Sequence, residues 1–105
     1  MRYGLSVKMG VKAGQRDTVA AILMRDVESI RDAGCDLYLV GVSDADPDAL
    51  FATEVWASRE AHRASLDLPA VQQAIAEAMP MLTGEFHQTE FDVIGGLGIP
   101  GAERS

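Results

Sequence analysis

One cysteine, Cys35, occurs among the 105 residues. An intramolecular disulfide is therefore excluded, which fits a reducing, cytoplasmic compartment. Cys35 opens an apolar run and reads as a small, buried, inert residue, with a role as nucleophile the lesser alternative. Basic residues are also few: 9 Lys and Arg stand against 16 Asp and Glu, for a net charge of −7. An acidic surface repels phosphate backbones, so no nucleic-acid partner is expected. No apolar run approaches the roughly 20 residues that span a bilayer. Met1-Arg2-Tyr3-Gly4 leads into no uninterrupted apolar stretch of the signal-peptide kind. No membrane partner is expected either. The two histidines, His62 and His87, are isolated, and no cysteine-rich or His-x-x-x-His spacing suggests a metal site. Gly95-Gly96-Leu97-Gly98 runs into Pro100 instead of a helix, so it does not read as a phosphate-binding loop.

What is present reads as one globular domain over residues 1–105. The chain is 48% hydrophobic and 24% charged, which argues against disorder. Tyr3 to Met9 alternates, with Tyr3, Leu5, Val7 and Met9 on one face, as a strand does. Lys12-Ala13-Gly14 breaks it. From about Gln15 to Arg31, Val19, Ile22, Leu23, Val27 and Ile30 recur at helical spacing, predicting one amphipathic helix. Gly34 stands where a left-handed cap belongs. Cys35 to Val42 is almost continuously apolar and predicts a central strand buried on both faces. Ser43 to Asp48 is turn chemistry, and Ala49 to Trp56 completes a hairpin. Ser58 can cap a short helix bearing Glu60, His62 and Arg63. Leu66-Asp67-Leu68-Pro69 starts another, which Pro80 ends. The last strand runs from about Glu85 to Ile94, and a flexible glycine-rich tail occupies about 95–105.

The order β-α-β-β-α-β defines an α+β, ferredoxin-like arrangement: an antiparallel sheet with its helices on one face. The strands nonetheless carry apolar residues on both faces. The uncovered face needs a partner, and a second copy of the chain is the simplest.

Several short patterns fall in a familiar order. Glu54-Val55-Trp56 ends the third strand and Ser58-x-Glu60-Ala61-His62 follows it. Leu68-Pro69-x-Val71, the exit Ala78-Met79-Pro80-Met81-Leu82-x-Gly84 and the Gly14 opening of the first helix complete the set. Over about residues 3 to 97 the chain resembles the antibiotic biosynthesis monooxygenase family. The resemblance implies a homodimer, a dimeric α/β-barrel in which two sheets face each other, with a pocket in each subunit between sheet and helices. It also implies one of several activities: cofactor-free oxygenation of quinols or polyketide phenols, haem degradation, isomerisation of a signalling sugar, or none known. The haem-degrading branch uses an asparagine on the first strand, a tryptophan and a histidine. Trp56 matches the tryptophan, but the chain contains no asparagine, and the position of that histidine falls near Leu66.

The expected function is therefore a cofactor-independent monooxygenase acting on a small, electron-rich phenol or quinol with O2. A non-catalytic, dimeric small-molecule binding or regulatory protein is the alternative, and haem degradation ranks third. Oxygenation without a cofactor needs a dry pocket, a base and donors that stabilise the substrate anion. His62 is the first candidate base, because histidine as a residue type titrates near neutrality; a surface histidine is the plainer reading. His87, beside Phe91 and Val93, is the second, and packing is its plainer reading. Trp56 forms an aromatic wall for a planar substrate or fills core. Glu54 shares its face, as a proton or hydrogen-bond acceptor or as a solvated charge. Tyr38 offers a further hydroxyl.

Overall fold

A computed structural model of the chain describes residues 1–99. Its elements are β1 (Arg2–Val11), α1 (Arg16–Leu23), α2 (Val27–Asp32), β2 (Cys35–Ser43), β3 (Asp46–Trp56), α3 (Arg59–Ser65), α4 (Pro69–Ala78) and β4 (Leu82–Val93), with a 3₁₀ turn at Met79–Met81. The strands form one four-stranded sheet in the order β2-β3-β1-β4. All three pairings are antiparallel. This is the ferredoxin-like α+β architecture. Residues 95–99 form no regular element, and the part of the expected tail from 100 to 105 lies outside the described residues. Among the described residues, no helix is long and apolar enough to cross a membrane.

The register follows from the alternation. Tyr3 pairs with Trp56, Leu5 with Glu54, Val7 with Ala52 and Met9 with Leu50, which puts these eight residues on one face. That face is covered by the helices. One buried cluster joins Tyr3, Leu5, Val7, Cys35, Ala52 and Trp56. A second joins Val11, Val19, Ala20, Ile22, Leu50 and Ala78. Burying a side chain such as Leu50 or Val19 completely contributes about 1.5–3 kcal/mol.

Two expectations are corrected. The segment predicted as one helix over 15–31 is two, because the chain turns through Met24–Asp26 and Asp26 adopts a left-handed conformation, φ 54°. Aspartate is among the few non-glycine residues that tolerate this region. The strand expected to be central, β2, is an edge strand. Its apolar residues serve two different faces. Tyr38 and Val40 pair with Glu54 and Ala52 on the helix side, whereas Leu37 and Leu39 pair with Val55 and Thr53 on the open side. The small local signals hold. Ser58 Oγ accepts the Ala61 N–H at 3.0 Å, Pro69 occupies the first turn of α4, and Gly34 takes φ 110° after α2. Cys35 is buried, and burial pushes its thiol up to about 11, which keeps it protonated and unreactive.

On the open face, Gly4 lies opposite Phe91. A Cβ built on Gly4 would come within 2.3–2.6 Å of three Phe91 ring atoms, so the ring lies across the bare glycine. Gly4→Ala must push this ring away, and is expected to destabilise the fold by about 1–2 kcal/mol. In a Phe91→Ala background the same change should cost nothing or gain slightly, because alanine orders a strand more cheaply than glycine. Urea midpoints of the four proteins check this. Additive effects would show that the ring does not depend on the glycine.

Candidate functional site

A cavity of about 180 Å³ opens between the sheet and the helices. Its floor is the helix-facing side of β2 and β3, presenting Tyr38, Glu54 and Trp56; His62 and Ser65 come from α3, and Val71 and Ala74 from α4. Four of the five residues singled out in the sequence thus meet at one place. His87 does not join them. It pairs with Lys8 on the opposite face of the sheet, with its side chain 67% exposed and Glu85 3.4 Å away.

Trp56 is 2% exposed and anchors the cavity. Its indole N–H donates to Glu54 Oε1 at 2.8 Å, a contact that requires both side chains on one strand face, two residues apart. The arrangement satisfies the buried N–H and holds Glu54 on the cavity floor. Glu54→Ala leaves that N–H without a partner and should cost about 1–3 kcal/mol of stability, with Glu54→Gln largely restoring it. Thermal or urea unfolding of the two variants decides; equal stability of Glu54→Ala and parent would mean that the hydrogen bond contributes nothing.

His62 lies between two rings. Its imidazole is 5.3 Å from the Trp56 ring, edge-on at 67°, and 5.4 Å from Tyr3. Neither ring nitrogen has a hydrogen-bond partner among the described residues. The helix that carries it is tied to the sheet from beside. Arg59 sits 5.0 Å over the Tyr3 ring, and both Arg59 and the Tyr3 hydroxyl donate to Glu90 on β4. The hydrogen bond from Tyr3 holds the Glu90 carboxyl below the usual range, with Arg59 acting in the same direction. Burial, then that hydrogen bond, pushes Tyr3 up to about 12.

Tyr38 is also pushed up to about 12, by burial first and then by the Glu54 charge. It stays a neutral phenol at physiological pH. Its proton goes to the Leu23 carbonyl at 3.0 Å, which ties β2 to the end of α1. Toward a ligand it therefore offers an oxygen acceptor. Further lining comes from polar residues not anticipated in the sequence: Arg25 and Asp26 from the break between α1 and α2, and Ser29 from α2. Ser29 Oγ donates to the Asp26 carbonyl at 2.7 Å and Arg25 pairs with Glu77 of α4. The turn at Asp26, left-handed at φ 54°, places Arg25 and Asp26 along the cavity. Among the described residues no cluster of three or more histidine, cysteine or carboxylate side chains is placed to hold a metal ion.

Comparison with known proteins gives a consistent result. The family model described as "Antibiotic biosynthesis monooxygenase" matches residues 2–77. No curated protein matches. Among solved structures, a protein of Chloroflexus aurantiacus that carries the same family name is 45% identical, with 91% of this chain and 96% of that one covered and a TM-score of 0.78. One from Deinococcus radiodurans, also named for the family, is 25% identical over 94% and 99% of the two chains, with a TM-score of 0.74. Rv0793 from Mycobacterium tuberculosis shares 20% identity over 92% and 99%, with a TM-score of 0.77, and bears on the fold alone.

Proposed function

The chain belongs to the antibiotic biosynthesis monooxygenase family, and on that premise we propose that it is a homodimeric, cofactor-independent monooxygenase of an electron-rich phenol or quinol. The observation that carries the reading is the meeting of Trp56, His62 and Glu54 on one small cavity between sheet and helices. Trp56 supplies an aromatic wall against which a planar ring lies. His62 takes the proton of the substrate hydroxyl, since neither ring nitrogen has a hydrogen-bond partner among the described residues. Tyr3 and Tyr38, whose hydroxyls hold their protons, cannot take that role.

The reaction balances without a cofactor. Deprotonation raises the reducing power of the ring until an electron passes to O2; recombination forms a C–O bond. The O–O bond then breaks, with His62 returning its proton to the departing oxygen. For a hydroquinone the sum is quinol plus O2 to hydroxyquinone plus water. One oxygen atom enters the ring, the other leaves as water, and the substrate supplies all four electrons. A cavity of about 150 Å³ takes benzene, so one of about 180 Å³ suits a single ring. Haem degradation ranks behind this reading, because the chain has no asparagine and the histidine position of that branch falls near Leu66.

The test is oxygen consumption by the purified protein with a substituted hydroquinone. Uptake of one O2 per hydroxyquinone, with one ¹⁸O atom from ¹⁸O2 in the product, is the expected result. Quenching of Trp56 fluorescence by the same compounds with no oxygen uptake would replace the enzyme by a small-molecule binding protein on the same fold.

A further inference from the structure

A second, larger cavity of about 580 Å³ lies at the other end of the helix layer. Met9 of β1, Leu82 and Phe86 of β4, and Ala78 and Met79 at the end of α4 line it. Met79 and Phe86 are both more than half exposed, which is unusual for large apolar side chains beside a cavity. Two residues line both this groove and the Trp56 cavity: Leu23, at the end of α1, and Ile75, on α4. The two spaces therefore share a wall made of two aliphatic side chains. Their linings differ in kind. The small cavity holds the polar and titratable groups, Glu54, His62, Ser29 and Arg25 among them. The groove has only Thr83 and Glu85 as polar-side-chain neighbours.

We infer that the substrate is a monocyclic phenol or quinol bearing an aliphatic chain, with the ring in the Trp56 cavity and the chain passing Leu23 and Ile75 into the Met79–Phe86 groove. The inference rests on the proposed ring site and adds to it the substituent that the ring carries. A space of about 180 Å³ is filled by one ring, so any further part of the substrate must leave it. Past the shared aliphatic wall it meets apolar side chains, which favour a hydrocarbon over a sugar, a phosphate or a charged tail. A chain there would also cover Met79 and Phe86.

Trp56 is the only tryptophan in the chain, so its fluorescence reports ring binding directly, with no need for turnover. Phenol and 4-hexylphenol are titrated into the whole protein. Each buried methylene tightens binding by up to about fourfold, and for a half-open groove about 100-fold or more is expected between the two ligands. Met79→Glu places a charge in the groove at an exposed position. It should cut the affinity for 4-hexylphenol at least tenfold and leave that for phenol unchanged. Phe86→Ser, which removes a large apolar wall of the groove without adding a charge, should act in the same direction and covers the case in which Met79→Glu fails to fold. Equal affinities for phenol and 4-hexylphenol would overturn the chain assignment while leaving the ring site standing. So would a tighter 4-hexylphenol whose advantage survives both substitutions. If neither ligand perturbs Trp56, the ring site itself is wrong, and the inference built on it goes too.

Discussion

Replacing His62 by alanine is expected to slow oxygen uptake with a hydroquinone by about 10²-fold or more, the usual worth of a positioned general base. The fall should lie in kcat, with KM little changed, because the imidazole acts on a proton that moves only as the reaction proceeds. Placement supports this assignment over the alternatives in the chain. His62 is held between Trp56 and Tyr3 by ring contacts at 5.3 and 5.4 Å, on a helix fixed to β4 by the Arg59–Glu90 pair. Among the described residues its ring nitrogens have no hydrogen-bond partner, whereas one oxygen of Glu54 already accepts from Trp56. His87→Ala should leave the rate unchanged, since that side chain lies on the face of the sheet turned away from the cavity. Steady-state oxygen electrode measurements on the two variants separate the histidines. An unaltered rate in His62→Ala removes it from the mechanism, and a large loss in Glu54→Gln would then identify the carboxylate as the base.

The second large effect is on assembly. The purified protein should sediment at twice the 11.2 kDa chain mass at low micromolar concentration. The helices cover one face of the sheet. On the other, Leu37, Leu39 and Phe91 are 37%, 48% and 42% exposed, next to the half-buried Phe51. Leaving such a face wet forgoes about 25 cal/mol for each Å² of apolar surface. A second sheet related by two-fold symmetry would cover both copies at once. An interface near or above about 2,000 Å² in total, of the obligate kind, is expected. Leu39→Asp with Phe91→Asp would bury unpaired carboxylates in that interface. The double variant should therefore run as a monomer or lose its fold, since each uncompensated buried charge costs several kcal/mol. Light scattering or sedimentation reads the outcome, and a folded, stable monomer of the parent protein would sink the claim.

Legibility differed by element. β1 and β3 were readable because their alternation is a backbone property: successive side chains point to opposite faces, so Tyr3, Leu5 and Val7 had to share a side, and so did Leu50, Ala52, Glu54 and Trp56. The caps at Ser58 and Gly34 were readable because each answers a local need of a helix end. β2 was misplaced because a strand with apolar residues on both faces has the same composition at a sheet centre and at an edge awaiting a second layer. The break at Met24–Asp26 was invisible because Val19, Ile22, Leu23, Val27 and Ile30 keep helical spacing straight through it, with no glycine or proline to mark the turn.

The site divides along the same line. The sequence by itself determined which side chains could share a strand face, as Glu54 and Trp56 do, and that a histidine would follow on a short capped helix. Only the tertiary structure decided that His62 lies over Trp56, that Tyr38 arrives from the neighbouring strand, and that Arg25 and Asp26 of the α1–α2 break reach the wall beside Ser29 of α2. It also decided that His87 faces away and that the Met79–Phe86 groove shares Leu23 and Ile75 with the cavity. The physical reason is range. Periodicity and capping are set by backbone geometry within a few residues, while a cavity is the space left where distant segments pack, and depends on sheet register and helix docking that no local pattern encodes.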